Sequence, residues 1–391
     1  MSDIKNIFPE EIELSEIVLN KTNQAFEMIQ QEDTDYMKKT NMKDRKSFKK
    51  QAAAIAGVCI LAVSSISAVA AIRHYWGRGM QGNLQASDSQ QQELTDNGVA
   101  KIYREEPEYR SLAVTDNGIT IAPDTVIVDD RFAYMSFSIS GFSVVDGEEP
   151  GFDRVNVYQR ENSEDAGSWV NMYGARMYDG IIPDENMKAM YEDGSPLEFY
   201  EDGSLIQHYT DDNGDMEYII NIGVDNDSLL GKTIHVELQD LGTSSYAIVS
   251  DEPKYEFSTK VEGNWNFEIV LPDVSSAKDI EVGQEIEGTG FVMESVSISP
   301  ISMKVNYSVI EAPEVNGDEL GIPEVKGVVL KDGTRIPYLL SGGGGVGYTD
   351  LSMSAACQYA SYYRVIDVDE VAALIVLTSY ENDKVEIPIS K

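Results

Sequence analysis

One uncharged segment constrains this chain more than any other feature. From Ala52 to Ile72, 21 consecutive residues carry no charge. At about 1.5 Å of rise per residue, a helix of this length measures roughly 31 Å, which matches the hydrocarbon core of a bilayer. The segment therefore predicts one transmembrane helix, with a short segment before it and a large domain after it. A buried helix of a globular protein and a cleaved signal peptide are the alternatives.

The distribution of basic residues predicts the orientation of this span. Basic side chains are dense immediately before the span and sparse after it, and those nearest to it are Lys43, Arg45, Lys46, Lys49 and Lys50. Segments rich in Lys and Arg stay in the cytoplasm. We therefore expect a single-pass protein of the cell membrane, with a cytoplasmic N-terminus and extracellular C-terminal domains.

The charge of the chain limits its possible partners, and its cysteine content limits its possible disulfide bonds. The chain has 67 acidic and 30 basic residues and a formal net charge of −37, nearly all of it beyond the span. Such a field repels nucleic acid, so no nucleic-acid partner is expected. Cys59 lies in the span and Cys357 far downstream. The extracellular part therefore has no internal disulfide and depends on apolar cores.

The first 50 residues predict a cytoplasmic helix with an unpartnered apolar stripe. The stripe consists of Leu14, Val18, Ala25 and Ile29, and its spacing is typical of an amphipathic helix. A single helix cannot bury such a stripe alone, so it needs another copy, the membrane surface or a cytoplasmic protein. The segment contains neither His nor Cys, which excludes a zinc-binding anti-sigma domain.

Beyond the span, the pattern changes to stalk and strand. We assign residues 51–73 to the membrane helix and the polar residues 74–104 to a stalk. Short alternating runs separated by Asp-Gly and Asn-Gly turns then predict a mainly β fold. We expect two tandem Ig-like β-sandwich domains, at residues 105–272 and 273–391.

An internal similarity supports the tandem arrangement. The stretch beginning at Ile119 resembles the stretch beginning at Phe291, and each reads as a hairpin with one apolar face. The aligned apolar positions are Val126, Val128, Met135, Phe137 and Ile139 in the first and Val296, Ile298, Met303, Val305 and Tyr307 in the second. The alternative is that any two amphipathic hairpins look alike.

The motifs that carry chemistry are few. A weak calcium candidate is the acidic turn formed by Asp211, Asp212, Asn213 and Asp215, because hard cations prefer several oxygen ligands in a tight loop. The four glycines at residues 342–345 lack the Lys-Ser/Thr of a phosphate loop, and we expect a mobile loop there. No nucleophile motif is present. We therefore expect neither catalysis nor a cofactor.

Several phrases of this sequence occur together in a known family. They are VTDNGITI, VEGNWNFEIVLP and VIDVDEVAALIV, combined with a short N-terminal helix and one crossing. In this combination the chain resembles the anti-sigma-factor-like, or sigma-factor negative effector, membrane proteins of Gram-positive bacteria. The resemblance covers nearly the whole length. It implies an extracellular domain of unknown function with a C-terminal β-sandwich, and it supplies no catalytic residues.

These observations leave three functional hypotheses. The first is a single-pass regulator that holds a cytoplasmic sigma factor, or another partner, and responds to an unknown extracellular ligand. The second is a cell-surface adhesion or ligand-binding module anchored by a signal-anchor helix. The third, a membrane-tethered hydrolase, has the least support because no nucleophile, base or metal set is visible.

Overall fold

The computed structural model describes residues 76–105, 109–145, 147–159, 168–225, 227–249, 252–311, 321–378 and 384–389. All of them belong to one compact unit that extends from Ile72 to Lys391. No helix in these ranges is long and apolar enough to cross a bilayer. The predicted span, the basic flank and the N-terminal helix lie outside the described residues.

The described residues form a mainly β structure. The described ranges contain three short helices, which are α1 (Arg78–Asn83), α2 (Asp88–Asp96) and α3 (Tyr109–Leu112), and strand β1 lies between α2 and α3. The strands of the N-terminal half are β1 (Ala100–Ile102), β2 (Val114–Asp116), β3 (Ile119–Val128), β4 (Phe132–Ser140), β5 (Glu149–Gln159), β6 (Ser168–Trp169), β7 (Asn171–Met177), β8 (Ile181–Pro183), β9 (Ala189–Tyr191), β10 (Met216–Gly223), β11 (Thr233–Val249) and β12 (Glu252–Val270). Those of the C-terminal half are β13 (Lys278–Ile286), β14 (Phe291–Ile298), β15 (Ser302–Val309), β16 (Glu324–Leu330), β17 (Arg335–Ile336), β18 (Leu340–Tyr348), β19 (Ala355–Tyr362), β20 (Val371–Leu377) and β21 (Lys384–Pro388).

Two antiparallel sheets of the N-terminal half share one core. Sheet 1 has the order β1-β3-β4-β10-β7, with β2 paired to β3, and sheet 2 has the order β12-β11-β5-β6. The core between them contains Phe137, Ile220, Val236 and Trp265, all fully or almost fully buried. Their alternation along the strands places them on one face of each sheet, as two packed sheets require.

Two further sheets in the C-terminal half share a second core. Sheet 3 has the order β13-β14-β15-β19-β18, and sheet 4 has the order β17-β16-β20-β21. Phe291, Val305, Leu374 and Ile387 are among the residues that fill this core. In the described ranges, each of the four sheets draws its strands from one half of the chain only.

The two hairpins that resemble each other in sequence occupy matching places. Strand β3 pairs with β4, and β14 pairs with β15. The predicted burial of Met135, Phe137, Met303 and Val305 is confirmed, since each is at most 1% exposed. The first pair lies in the core of sheets 1 and 2, and the second pair lies in the core of sheets 3 and 4.

Residues 76–105 differ from the stalk that their polar composition predicts. They form α1, α2, β1 and a 3-10 turn, and we call this segment the strap. Trp76, Met80 and Leu84 are each 0% exposed. The apolar residues of this segment are widely spaced among Gly and Gln, so the sequence shows neither a helix period nor a strand period. They are nevertheless enough to hold a short segment against existing sheets. The strap is therefore part of the packed structure.

Candidate functional site: the joint between the strap and the sheets

The strap contacts both halves of the β structure. An apolar cluster joins Trp76, Met80 and Leu84 to Tyr134 of β4, and it also includes Ile301 and Val365 of the C-terminal half. Burial of these side chains is the main favourable term that holds the strap in place. The strap therefore links sheet 1 to the C-terminal half across one continuous apolar contact.

Backbone hydrogen bonds reinforce the contact with the C-terminal half. Gln85 donates its amide N–H to the carbonyl oxygen of Tyr363 at 2.8 Å and accepts from the amide of Val365 at 2.8 Å. This short parallel bridge is the only one of its kind among the described residues. The side chain of Gln85 also donates to the carbonyl of Pro183 at 2.8 Å. One residue of the strap thus binds the backbone of both halves.

Two acids, the buried Asp124 and the half-buried Glu217, lie against the start of α1. Asp124 lies on β3 and Glu217 on the outer face of β10, and Gly77 fits between them. The amide of Gly79 donates to Glu217 Oε2 at 2.9 Å. A side-chain carbon on Gly77 would lie 2.3 Å from both Asp124 Oδ2 and Glu217 Oε2. Only glycine can therefore occupy this position without moving the strap or the acids.

Burial changes the protonation of this acid pair. Burial, and to a lesser extent the nearby Asp124 charge, together raise the pKa of Glu217 to about 8 from an ordinary value of 4.5. Burial also raises the pKa of Asp124, and the Arg104 guanidinium opposes that rise. Arg104 Nη1 donates to Asp124 Oδ1 at 2.9 Å. Because two adjacent carboxylates repel, Glu217 keeps its proton near neutral pH.

The raised pKa sets the direction of a pH dependence. The folded state binds the Glu217 proton more tightly than the unfolded state does. The resulting stabilisation is fully present below pH 4.5, the ordinary pKa, and is lost as the pH rises through about 8. Alkaline conditions therefore weaken the attachment of α1 to β10.

Arg78 forms a second, more exposed anchor of α1. Its Nε donates to Glu192 Oε1 at 2.6 Å, and its Nη2 donates to the His208 carbonyl at 2.6 Å. The guanidinium lies 4.9 Å from the ring centroid of Tyr178, whose hydroxyl donates to Glu192 Oε2 at 3.1 Å. Cation–π and charge-assisted contacts of this kind orient a helix more than they stabilise it.

The turns of the two similar hairpins meet each other beside the strap. Asp129 directly follows β3 and Ser299 directly follows β14, and each caps its own turn by accepting backbone amides. Ser299 Oγ donates to Asp129 Oδ2 at 2.6 Å, and Ser302 Oγ also donates to that oxygen. Asp129 is 1% exposed. Burial raises its pKa, and these hydrogen bonds oppose the rise.

Tyr134 completes the connection between the halves. Its hydroxyl donates to the carbonyl of Tyr362 at 2.8 Å and accepts from the amide of Tyr362 at 3.1 Å. A buried polar group with all its partners satisfied specifies one relative placement of the elements that it joins. The site is thus a joint at which the strap and both halves are fixed together.

The predicted calcium turn has another role. Asp211 Oδ1 accepts the amides of Asn213 at 2.8 Å and Asp215 at 3.0 Å, so this carboxylate caps its own turn. In the ranges that the structure describes, no group of three or more His, Cys, Asp or Glu side chains is placed to hold a metal ion. The calcium site at Asp211, Asp212, Asn213 and Asp215 stays a prediction.

The glycine run also differs from the expectation. Residues 342–345 belong to strand β18 rather than to a mobile loop. Main-chain pairing with β19 orders this segment, whose glycines have no side chains to pack. Gly344 pairs with Ala360, and Gly345 pairs with Tyr359.

The sequence offered a weak signal for the joint. Asp124 interrupts the apolar run of β3, and Glu217 follows the first residue of β10. An acid inside an otherwise apolar strand is the signature of a buried polar contact. A second missed pattern is the recurrence of Tyr-Glu-Asp-Gly-Ser at residues 191–195 and 200–204, which forms two successive tight turns.

Comparison with known proteins adds little to this geometry. No protein-family model matches the chain, and no curated protein matches it. A crystal structure of a conserved domain protein from Bacillus anthracis is similar over 69% of this chain and 78% of that chain, with 16% identity and a TM-score of 0.37. A similarity at this level carries no argument about function.

Proposed function

We propose that the chain is a single-pass membrane regulator, similar to anti-sigma-factor-like proteins, that couples extracellular β domains to a cytoplasmic partner. The observation that carries the proposal is the position of the strap. It begins at Trp76, four residues after the predicted span ends at Ile72. Any displacement of the β halves relative to each other acts on the strap, and hence on the span.

The same proposal includes the domain organisation. We infer two tandem Ig-like β-sandwich domains, at residues 105–272 and 273–391. Separate cores and separate sheets in the two halves support this division. The matched hairpins support a common origin, because each presents its turn, capped by Asp129 or Ser299, to the other half.

The output surface in this proposal is the N-terminal helix. Its stripe of Leu14, Val18, Ala25 and Ile29 docks into an apolar groove of a cytoplasmic partner, such as a sigma factor, as amphipathic helices do. The partner is held at the membrane until the joint changes state.

Replacement of one stripe residue tests the output. Val18→Asp places an unpaired charge in an apolar contact. We expect about a hundredfold weaker recovery of the partner, which corresponds to about 2.7 kcal/mol. Asn23→Asp, on the opposite face of the predicted helix, is the matched control and should leave recovery unchanged. Equal partner recovery and equal target-gene expression in both variants would remove the helix as the output surface.

Topology is tested separately. A reporter that is active only outside the cytoplasm should work when fused after Lys391 and fail when fused before Met1. The reverse pattern, or a secreted product that begins near Arg73, would overturn the membrane part of the proposal. If the topology holds and Val18→Asp has no effect, a surface adhesion or ligand-binding module becomes the better account.

A further inference from the structure

The segment from the end of β8 to the start of β10 is a nine-residue repeat. Its four units are residues 183–191, 192–200, 201–209 and 210–218. Each unit has Asp at its second position and Tyr at its ninth, and a fixed period of this kind indicates equivalent units that pack on one another. The aspartates are Asp184, Asp193, Asp202 and Asp211, and the tyrosines are Tyr191, Tyr200, Tyr209 and Tyr218.

The aspartate of each unit caps one tight turn. Asp193 Oδ1 accepts the amide of Ser195, two residues ahead, at 2.8 Å. The aspartates of the other three units accept the amide two residues ahead in the same way. Asp is favoured in turns for this reason, because its side chain bonds to the backbone that follows it. The repeated aspartates therefore have a structural role within their own units.

The four repeated tyrosines are not equally buried. Tyr191, Tyr209 and Tyr218 are each at most 7% exposed. Tyr191 shows how such a residue ties the units together, because its hydroxyl donates to the carbonyl of Ile206, two units ahead, at 2.8 Å. Tyr200 differs from the other three, because it is half-buried and lines a cleft. Packing of the repeat accounts for three of the tyrosines and leaves Tyr200 at a surface.

This cleft lies between the repeat and the loop that connects β4 to β5. It has a volume of about 300 Å³, at the lower end of the range of roughly 300–1,000 Å³ that is usual for small-molecule sites. Tyr200, Gln207, Tyr209 and Thr210 line it from the repeat, and Glu148 lines it from the loop. We call it the tyrosine cleft. Aromatic and polar side chains thus converge on one concave surface.

The charges around the tyrosine cleft favour a neutral ligand. Glu148 is the acidic residue of the lining, and its Oε1 lies 3.3 Å from Lys260 Nζ, so its charge is already paired. Burial, together with the nearby Glu149 and Asp179 carboxylates, raises the pKa of Tyr209. The potential at this wall is therefore negative and repels an anion. A cation finds no unpaired carboxylate in the lining.

The uncharged polar groups of the cleft favour a ligand that carries hydroxyl groups. The Gln207 amide and the Thr210 hydroxyl can each donate and accept hydrogen bonds. A purely apolar ligand would remove these groups from water without giving them partners, which is unfavourable. Tyr200 adds an aromatic surface beside them, against which the C–H groups of a sugar ring can pack. A saccharide combines an apolar ring face with hydroxyl groups at its edge.

We propose that the tyrosine cleft binds a neutral saccharide, with one sugar ring against Tyr200 and with hydroxyl groups bonded to Gln207 and Thr210. The inference goes beyond the proposed regulatory function and does not depend on the membrane topology. An organic cation that packs on the Tyr200 ring is the competing ligand that the test must separate.

The test titrates the full-length chain, in a detergent without a sugar head group, with three neutral tetrasaccharides. These are the β-1,4-linked tetramers of glucose and of N-acetylglucosamine and the α-1,4-linked tetramer of glucose. We expect at least one to bind saturably with a Kd of about 1 mM or tighter. Because the ligand is uncharged, added salt should not weaken this binding. Tetramethylammonium should not compete. Failure of all three to bind, or competition by tetramethylammonium, would overturn the proposal.

Two adjacent aromatic residues locate the site. Tyr200→Ala removes the ring from the cleft and should weaken binding of that tetrasaccharide at least about tenfold. Phe199→Ala is the matched control, because Phe199 is 59% exposed and lies outside the lining of the cleft, and it should bind as the wild type does. Unchanged binding in Tyr200→Ala, or an equal loss in both variants, would refute the assignment.

A hydroxyl deletion tests the polar contact without removing an aromatic ring. Thr210 is exposed, so Thr210→Val should keep the thermal unfolding midpoint of the wild type even if Tyr200→Ala does not fold. Loss of one hydrogen bond should weaken binding about two- to tenfold. Wild-type affinity in Thr210→Val would contradict a saccharide whose hydroxyl groups bond to this wall of the cleft.

Discussion

The strap joint and the glycine run of β18, residues 342–345, treat main-chain polar groups in opposite ways. At the joint, the amide of Gly79 donates to the half-buried carboxyl group of Glu217, and the amide of Gln85 donates to a backbone carbonyl. At the glycine run, β18 keeps one edge of its backbone without a paired strand in the described ranges. A hydrogen-bonded network at a packed joint fixes a position, whereas an edge without a paired strand does not.

Both regions depend on glycine, for different reasons. Gly77 has a φ of −60°, a conformation open to any residue, and it is required only because the acids leave no room for a side chain. Gly342 and Gly344 have φ values of +86° and +127°, which side-chain-bearing residues rarely adopt. Glycine thus allows a close approach at the joint and an unusual strand conformation at the glycine run.

Truncation of the central aromatic at each region should give the largest contrast. Trp76→Ala removes a fully buried side chain and should cost about 3–5 kcal/mol of strap attachment. Tyr338→Ala, at an exposed ring beside the glycine run, should cost less than about 1 kcal/mol. The free energy of opening from native-state hydrogen exchange measures both. Equal values would erase the distinction between a packed joint and an exposed surface.

The second-largest loss of stability should come from breaking the contact between the two hairpin turns. Asp129→Ala leaves Ser299, Ser302 and two turn amides without their acceptor, at a cost of about 2–3 kcal/mol in denaturant unfolding. Asp211→Ala removes the same kind of turn cap at an exposed site and should cost about 0.5 kcal/mol. A small loss for Asp129→Ala would mean that the halves are not fixed by this contact.

The same substitution in two glycines sharpens the steric argument. Gly77→Ala forces a methyl group between Asp124 and Glu217 and should destabilise the strap by about 1–2 kcal/mol. Gly347→Ala on β18 meets no atom within 4 Å and should change stability by less than about 0.5 kcal/mol. Protease cleavage within residues 76–102 reports the first effect, and urea unfolding compares both variants.

The sequence predicted strands, but it did not predict which faces and edges of those strands are covered by other segments. Alternation along β4 and β15 identifies Phe137 and Val305 as core residues, because a strand half-buried in a core has a period of two. Strand β3 is buried on both faces. Its outer face is covered because the strap packs there, so the apolar run around Asp124 signals a buried polar contact but does not show which segment covers it. The prediction of a mobile loop at Gly344 was wrong, because pairing with β19 orders this segment.

The pH dependence of strap protection tests the central claim most directly. Hydrogen exchange of residues 76–102 is compared at pH 6 and pH 9, after correction for intrinsic rates, in the wild type and in Glu217→Gln. We predict strong protection of the Gln85 amide at pH 6 and reduced protection at pH 9, as Glu217 loses its proton near pH 8. Glu217→Gln should retain protection at both values. Rapid exchange at pH 6, or an identical pH response in the two proteins, would contradict a strap held at the joint by the acid pair.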